Sequence, residues 1–295
     1  MDALSALLEG LIDYAGLYPP ASLPMEEAAR NYAAYRSGPR AAWLGRFVLP
    51  AGRLDAFMAA VQGLDARPCP WRLSALLGEA PEADLERVIA WNRAAHASAS
   101  PLAVIDAIEM KAAAPEEIEK FEALTPAGVA AFFEIPLREP GPFLAALAEG
   151  NGRAKLRTGG TTPEAIPVSA DIARFLAACA AARAPFKATA GLHHPFRSMR
   201  PLTYAADAPQ AMMHGFVNVF LAAAFAFQGM DVVTLTALLN EESPHAFAFG
   251  EGKAGWRGHS LHVERLREAR RDFALAFGSC SFEEPRQDLE AAGWL

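Results

Sequence analysis

From residue 41 onward the chain repeats one pattern five times, a short β-like run followed by a longer helix-like run. No other feature limits its fold so tightly. The runs are "AAWLGRFVLPA" (41–51), "WRLSALLG" (71–78), "PLAVIDAIEMKA" (101–112), "GVAAFFEIPL" (128–137) and "RAKLRTGG" (153–160). The helical runs that follow them are "GRLDAFMAAVQGL", "PEADLERVIAWNRAAHA", "APEEIEKFEAL", "GPFLAALAEG" and "SADIARFLAACAAARA". A sixth strand-like run, "PFKATAGLHHP", comes next. Strands that alternate with helices across short Gly- or Pro-marked turns are parallel and joined by right-handed crossovers. Two further runs bring the number to eight. "DYAGLYPP" (13–20), ahead of "MEEAARNYAAYR", reads as the first strand, and "HAFAFG" (245–250), ahead of "LHVERLREARRDFALAF", reads as the last. The expected fold is therefore an α/β (β/α)8 barrel with a helical insertion after the seventh strand, one domain over residues 1–295. A doubly wound open sheet would carry a G-x-G-x-x-G turn after an early strand, and none is present.

Composition excludes several classes of function. The net charge of -7, with no basic face, argues against nucleic acid as a partner. The longest apolar stretch, "GFVNVFLAAAFAFQGM", is short for a bilayer and carries Asn218, so it reads as a buried helix rather than a membrane span. Cys69, Cys179 and Cys280 are odd in number and widely spaced, and match neither a zinc site nor a disulfide framework. The N-terminus lacks the basic region of a secretory signal. A cytoplasmic protein is the expectation, with alanine-rich helices that leave surface for contact between copies.

Residues two apart on a strand share a face. Glu109 and Lys111 share one, as do Lys155 and Arg157, and Lys187 and Thr189, while Glu134 ends an aromatic run. Apolar helices cover the outside of a barrel, so these charges should point inward, near the C-terminal strand ends where barrel enzymes keep their chemistry. Lys111, Lys155, Arg157 and Lys187 set against Glu109 and Glu134 make an expected cationic pocket. Its expected ligand is a small anionic metabolite, a phosphate ester or carboxylate. A lysine amine is a nucleophile once deprotonated, and two lysines on adjacent strands suit Schiff-base chemistry.

"AKLRTGGTTPEA" followed by "FKATAGLHH" resembles the sixth and seventh strands of class I, Schiff-base aldolases of the deoxyribose-phosphate aldolase type. In that family a strand lysine precedes Thr/Gly residues and a "TPE" helix start, and the next strand carries Lys-Ala-x-x-Gly. The resemblance spans residues 154–194. It implies that Lys155 forms the imine without a cofactor, that Lys187 perturbs it, and that the Gly191 turn binds a phosphate. Arg157 stands where the family has a small hydroxyl residue, and "GLHHP" replaces its glycine-rich turn. In the resulting assignment Glu134 or His193 moves protons and Arg157 holds an anionic group. Thr158, Gly159, Thr189, Gly191, His194, Lys111, Glu109, His214 and Asn218 complete the substrate-binding set.

Two other readings stand beside this one. A metal-assisted lyase or isomerase would hold a divalent metal with His193, His194 and Glu134. A non-catalytic barrel would simply bind an anionic metabolite. Asp106 is a second carboxylate for proton transfer, and Asp13 and Tyr14 lie near the expected mouth. His214 and Asn218, four apart on an apolar helix, form either a lid or a locally bonded pair. "GEGKAGWRGHS" (250–260) has the glycines and cations of a phosphate loop, whereas Cys280 has no basic partner nearby in sequence.

Overall fold

The computed structural model describes residues 2–64 and 69–295. Eight parallel strands close into a barrel in the circular order β1 (Ile12–Tyr14), β2 (Leu44–Pro50), β3 (Trp71–Leu76), β4 (Ala103–Lys111), β5 (Ala130–Glu134), β6 (Arg153–Arg157), β7 (Phe186–Thr189) and β13 (Ala274–Ser279). Helices join consecutive strands, so the expected (β/α)8 barrel is the fold. The alternation read from the sequence has a physical counterpart on the two faces. Phe47 and Trp71 turn outward onto Phe57 of the following helix, and Phe186 and Phe277 turn outward onto Phe220. The residues between them face the lumen.

The last strand differs from the expectation. His245–Gly250 is not in the barrel. Phe247–Phe249 (β10) pairs with Lys253–Trp256 (β11), which pairs with His259–His262 (β12), in a separate antiparallel sheet. The eighth barrel strand is Ala274–Ser279, part of the run expected to be helical. The helix Val263–Asp272 stops at Phe273, and the chain pairs with β1 and β7 at once. "GEGKAGWRGHS" is thus a hairpin of this outer sheet rather than a loop after a barrel strand. The insertion after β7 is mixed rather than helical. It opens with the hairpin β8 (Ser198–Pro201) and β9 (Gln210–Met213), continues through helices Phe216–Phe227 and Val232–Leu239, and ends in the β10–β12 sheet. Phe216–Phe227 is the buried helix expected there, with Phe216 and Phe220 packed on the barrel at Phe277. Among the described residues, no helix is long and apolar enough to cross a membrane.

One irregularity sets up the site. Along β3 and β4, Leu73 pairs with Ile105 but Ser74 pairs with Ala107, so β4 carries an extra residue. Such a bulge shifts the facing of everything beyond it. Asp106 is itself the extra residue, and Glu109 lies beyond it, three residues on rather than two.

Candidate active site at the C-terminal end of the barrel

Glu134, Lys155 and Lys187 stand side by side in one register row across β5, β6 and β7. Lys187 is 1% exposed and stays charged because it is paired twice. Its Nζ donates to Asp13 Oδ2 and to Glu109 Oε1, each at 2.6 Å. Burial alone would lower its pKa, but the two carboxylates outweigh burial and raise it. Glu109 bridges the two lysines, with Oε1 on Lys187 and Oε2 3.1 Å from Lys155 Nζ. Ser74 Oγ donates to the same carboxylate at 2.7 Å. Burial would raise the Glu109 pKa, yet Lys187, Lys155 and these hydrogen bonds hold it well below the usual carboxylate range. Glu134 lies 3.4 Å from Lys155 and takes two hydrogen bonds from Arg157, at 2.9 and 3.2 Å. Its pKa is lowered as well, because Arg157 and Lys155 overcome burial.

Asp13 is held from its other side, where Oδ1 accepts from the Arg46 backbone N–H at 2.7 Å. A Cβ at Gly45 would lie 2.2 Å from that oxygen, so glycine is what leaves room for the carboxylate. Beneath Lys187 the lumen is filled by Phe132, whose ring centroid is 5.3 Å from the ammonium. Toward the N-terminal end, Asp106 pairs with Arg46 and Arg72. Asp106 is therefore part of the barrel floor and is absent from the cavity wall.

Above the charged row a cavity of about 350 Å³ opens at the C-terminal strand ends. Glu109, Lys155, Arg157, Lys187, Thr189, Gly191 and His193 line it, all of them expected from the sequence. So do Tyr18, Pro19 and Pro20 of the run after the first strand, with Leu202, Met213 and Cys280, all of them outside the expected substrate-binding set. Two of the expected residues support the wall from behind. Thr158 Oγ1 donates to the carbonyls of Thr189 and Ala190. Gly159 packs directly on Gly191, since a Cβ on Gly191 would fall 2.9 Å from the Gly159 Cα. Gly191 also has φ +77°, a left-handed conformation natural to glycine.

Other residues lie elsewhere. Lys111 is exposed at the end of β4 and is not in the wall. His214 faces a separate outer groove and donates from Nε2 to the Pro167 carbonyl, while Asn218 bonds to the backbone of Arg197, Leu238 and Glu241. The pair is local rather than a lid. Tyr14 turns outward into an aromatic cluster with Tyr32, Tyr35 and Phe47. With Lys111 outside and Asp13 inside, the expected excess of positive charge disappears. Lys155, Lys187 and Arg157 are balanced by Asp13, Glu109 and Glu134.

His193 and His194 diverge. His194 Nδ1 is 2.6 Å from Asp288, which also pairs with Arg200 of the hairpin. His193 Nδ1 faces Ser279 Oγ at 3.3 Å, Glu284 at 3.5 Å and Cys280 Sγ at 3.8 Å. Burial, with His194 adding to it, lowers the His193 pKa to about 4, so its imidazole is neutral at neutral pH. Burial pushes the Cys280 thiol up to about 11. Glu134 is engaged with Lys155 and Arg157 and does not join the two histidines. Among the described residues no three His, Cys, Asp or Glu side chains form a group suited to a metal ion. No protein-family profile matches the chain, and no curated protein matches it in sequence.

Proposed function

We propose that the protein is a lyase of aldolase type that binds a small carbonyl compound as an imine on Lys155. The observation that carries this reading is the pair of neighbouring buried lysines under one cavity, with a single carboxylate shared between their Nζ atoms. The local resemblance to Schiff-base aldolases supports it. So does the division of labour between the lysines: Lys187 is fixed as an ammonium by Asp13 and Glu109, while Lys155 borders the open space.

For reaction, the Lys155 ammonium gives a proton to Glu134, at 3.4 Å. The free amine attacks the carbonyl carbon, water leaves as the C=N bond forms, and the proton held by Glu134 returns to the nitrogen to give the iminium. In the cleavage direction, a base removes the proton of the substrate hydroxyl β to the imine carbon. The carbon–carbon bond breaks, its electron pair enters the iminium to give an enamine, and an aldehyde departs. Protonation of the enamine carbon and addition of water release the second product and restore Lys155. Lys187 stabilises the ionised Glu109 throughout, and Arg157 presents its guanidinium at the rim to a carboxylate or phosphate.

The test is to incubate the protein with pyruvate, acetaldehyde, glycolaldehyde and dihydroxyacetone phosphate, reduce with borohydride, and weigh the intact chain and its peptides. A stable increment on the peptide containing Lys155, absent in Lys155→Ala, is the expected result. No increment with any carbonyl compound from a folded protein overturns the reading.

A further inference from the structure

Among the described residues that line the cavity, one buried polar atom has no partner, and it is the hydroxyl of Tyr18. Every charged group on the floor is engaged with another. Ser74, the small hydroxyl below them, is engaged too. Tyr18 sits four residues beyond the end of β1, in the loop Ala15–Pro20 that forms one side of the mouth, followed by Pro19 and Pro20 in the same wall. A buried hydroxyl left unbonded is costly, and such groups persist where a ligand completes them. The other unpartnered buried atoms, Arg197 Nε and His214 Nδ1 in the outer groove and Glu122 Oε1 in a further groove, are not in residues of the cavity wall.

The chemistry of the phenol narrows its partner. Glu109 is close enough for its charge to oppose formation of a phenolate, and burial opposes it more strongly. Tyr18 is therefore a neutral O–H donor. Glu109 is also the carboxylate that lies 3.1 Å from Lys155 Nζ. Tyr18 and Lys155 line the same cavity, so the phenol belongs to the wall of the space in which a carbonyl carbon would meet the amine. Attack there moves the π pair of the C=O bond onto oxygen, and the forming oxyanion needs a donor that is not already occupied. Lys155 is the nucleophile, two of the three Lys187 donors are held by carboxylates, and Arg157 is paired with Glu134 and directed to the anionic group at the rim.

We propose that Tyr18 is a catalytic residue of the imine-forming step, donating its hydroxyl hydrogen bond to the substrate oxygen at the carbon attacked by Lys155. The phenol keeps its proton. The hydrogens of the departing water come from the amine, so the balance is one carbonyl and one amine giving one imine and one water. This inference rests on the Lys155 reading.

The experiment compares wild type and Tyr18→Phe, which keeps the ring in place. Borohydride trapping rates are measured over a range of concentrations of whichever of the four carbonyl probes labels the wild type, together with urea unfolding of both proteins. The expected result is a fall of at least ten-fold in the saturating trapping rate, with the labelled peptide unchanged, and an unfolding midpoint equal to or above that of wild type. A purely structural hydroxyl would instead lower the midpoint, and that outcome overturns the proposal. Trapping by Tyr18→Phe at the wild-type rate overturns it while leaving the Lys155 reading intact. Absence of any adduct in the wild type removes both together.

Discussion

His193 shows how one side chain's burial becomes a property of the protein. Its imidazole is enclosed beside Ser279 and Cys280, and its pKa falls from 6.5 to about 4. The unfolded chain therefore binds a proton between these values that the folded chain refuses. The contribution to stability is fully present above pH 6.5 and is lost as pH falls toward 4, an amount on the order of 3 kcal/mol. Unfolding free energies from urea titrations at intervals from pH 7 to pH 4 should fall with this slope, and His193→Gln should flatten it. An equal slope in the variant would show that other groups carry the effect. Lys187 has the opposite sense. Its raised pKa makes a contribution that is present below the unfolded lysine value and is lost only as the solution becomes strongly alkaline. Acid, not base, is the near edge of the stable range.

Among the elements, β13 is the one that the rest of the chain must hold in place. It follows a helix with no glycine or proline between them, and Arg270 of that helix fastens it. The Arg270 guanidinium donates to the carbonyls of Leu7 at 2.8 Å, Glu9 at 3.0 Å and Leu275 at 2.9 Å, and to that of Ala274. One side chain thus ties the N-terminal helix to the strand that closes the barrel. Arg270→Met keeps an unbranched apolar side chain but removes the guanidinium from over Phe220 and strips four carbonyls of their donor, and should cost on the order of 3 kcal/mol in urea unfolding. A loss below about 1 kcal/mol would mean that solvent replaces the guanidinium without penalty. The same junction explains where the sequence could and could not be read. Strands β2 to β7 are bounded by Gly, Pro or polar turns and alternate in character, so they and their inward lysines are legible from local pattern. "RRDFALAF" continues the helical spacing past Asp272, and only pairing with β1 and β7 makes a strand of its last part. Asp13 escaped firm assignment because its partner Lys187 is 174 residues away, a separation at which local spacing carries no information. Tyr18 and Cys280 entered the wall through loops whose course depends on the closed barrel.

At the scale of the whole molecule, barrel closure brings six charges from five strands to one end. Lys155, Lys187 and Arg157 meet Asp13, Glu109 and Glu134 there, and no sign prevails. That balance governs how the cavity is found as well as what it holds. A mouth with excess positive charge would draw anions from a distance, and added salt would slow their capture. Opposite charges within hydrogen-bonding distance of one another cancel their far field, so the site itself adds no long-range attraction for an approaching anion. The second-order rate constant for trapping an anionic carbonyl probe that labels the wild type should then change by no more than about twofold between about 20 and 200 mM sodium chloride. A steep decline over that range would reveal unbalanced positive charge at the entrance. On the imine reading, capture by this barrel is a matter of collision and fit, with selectivity exercised only at contact.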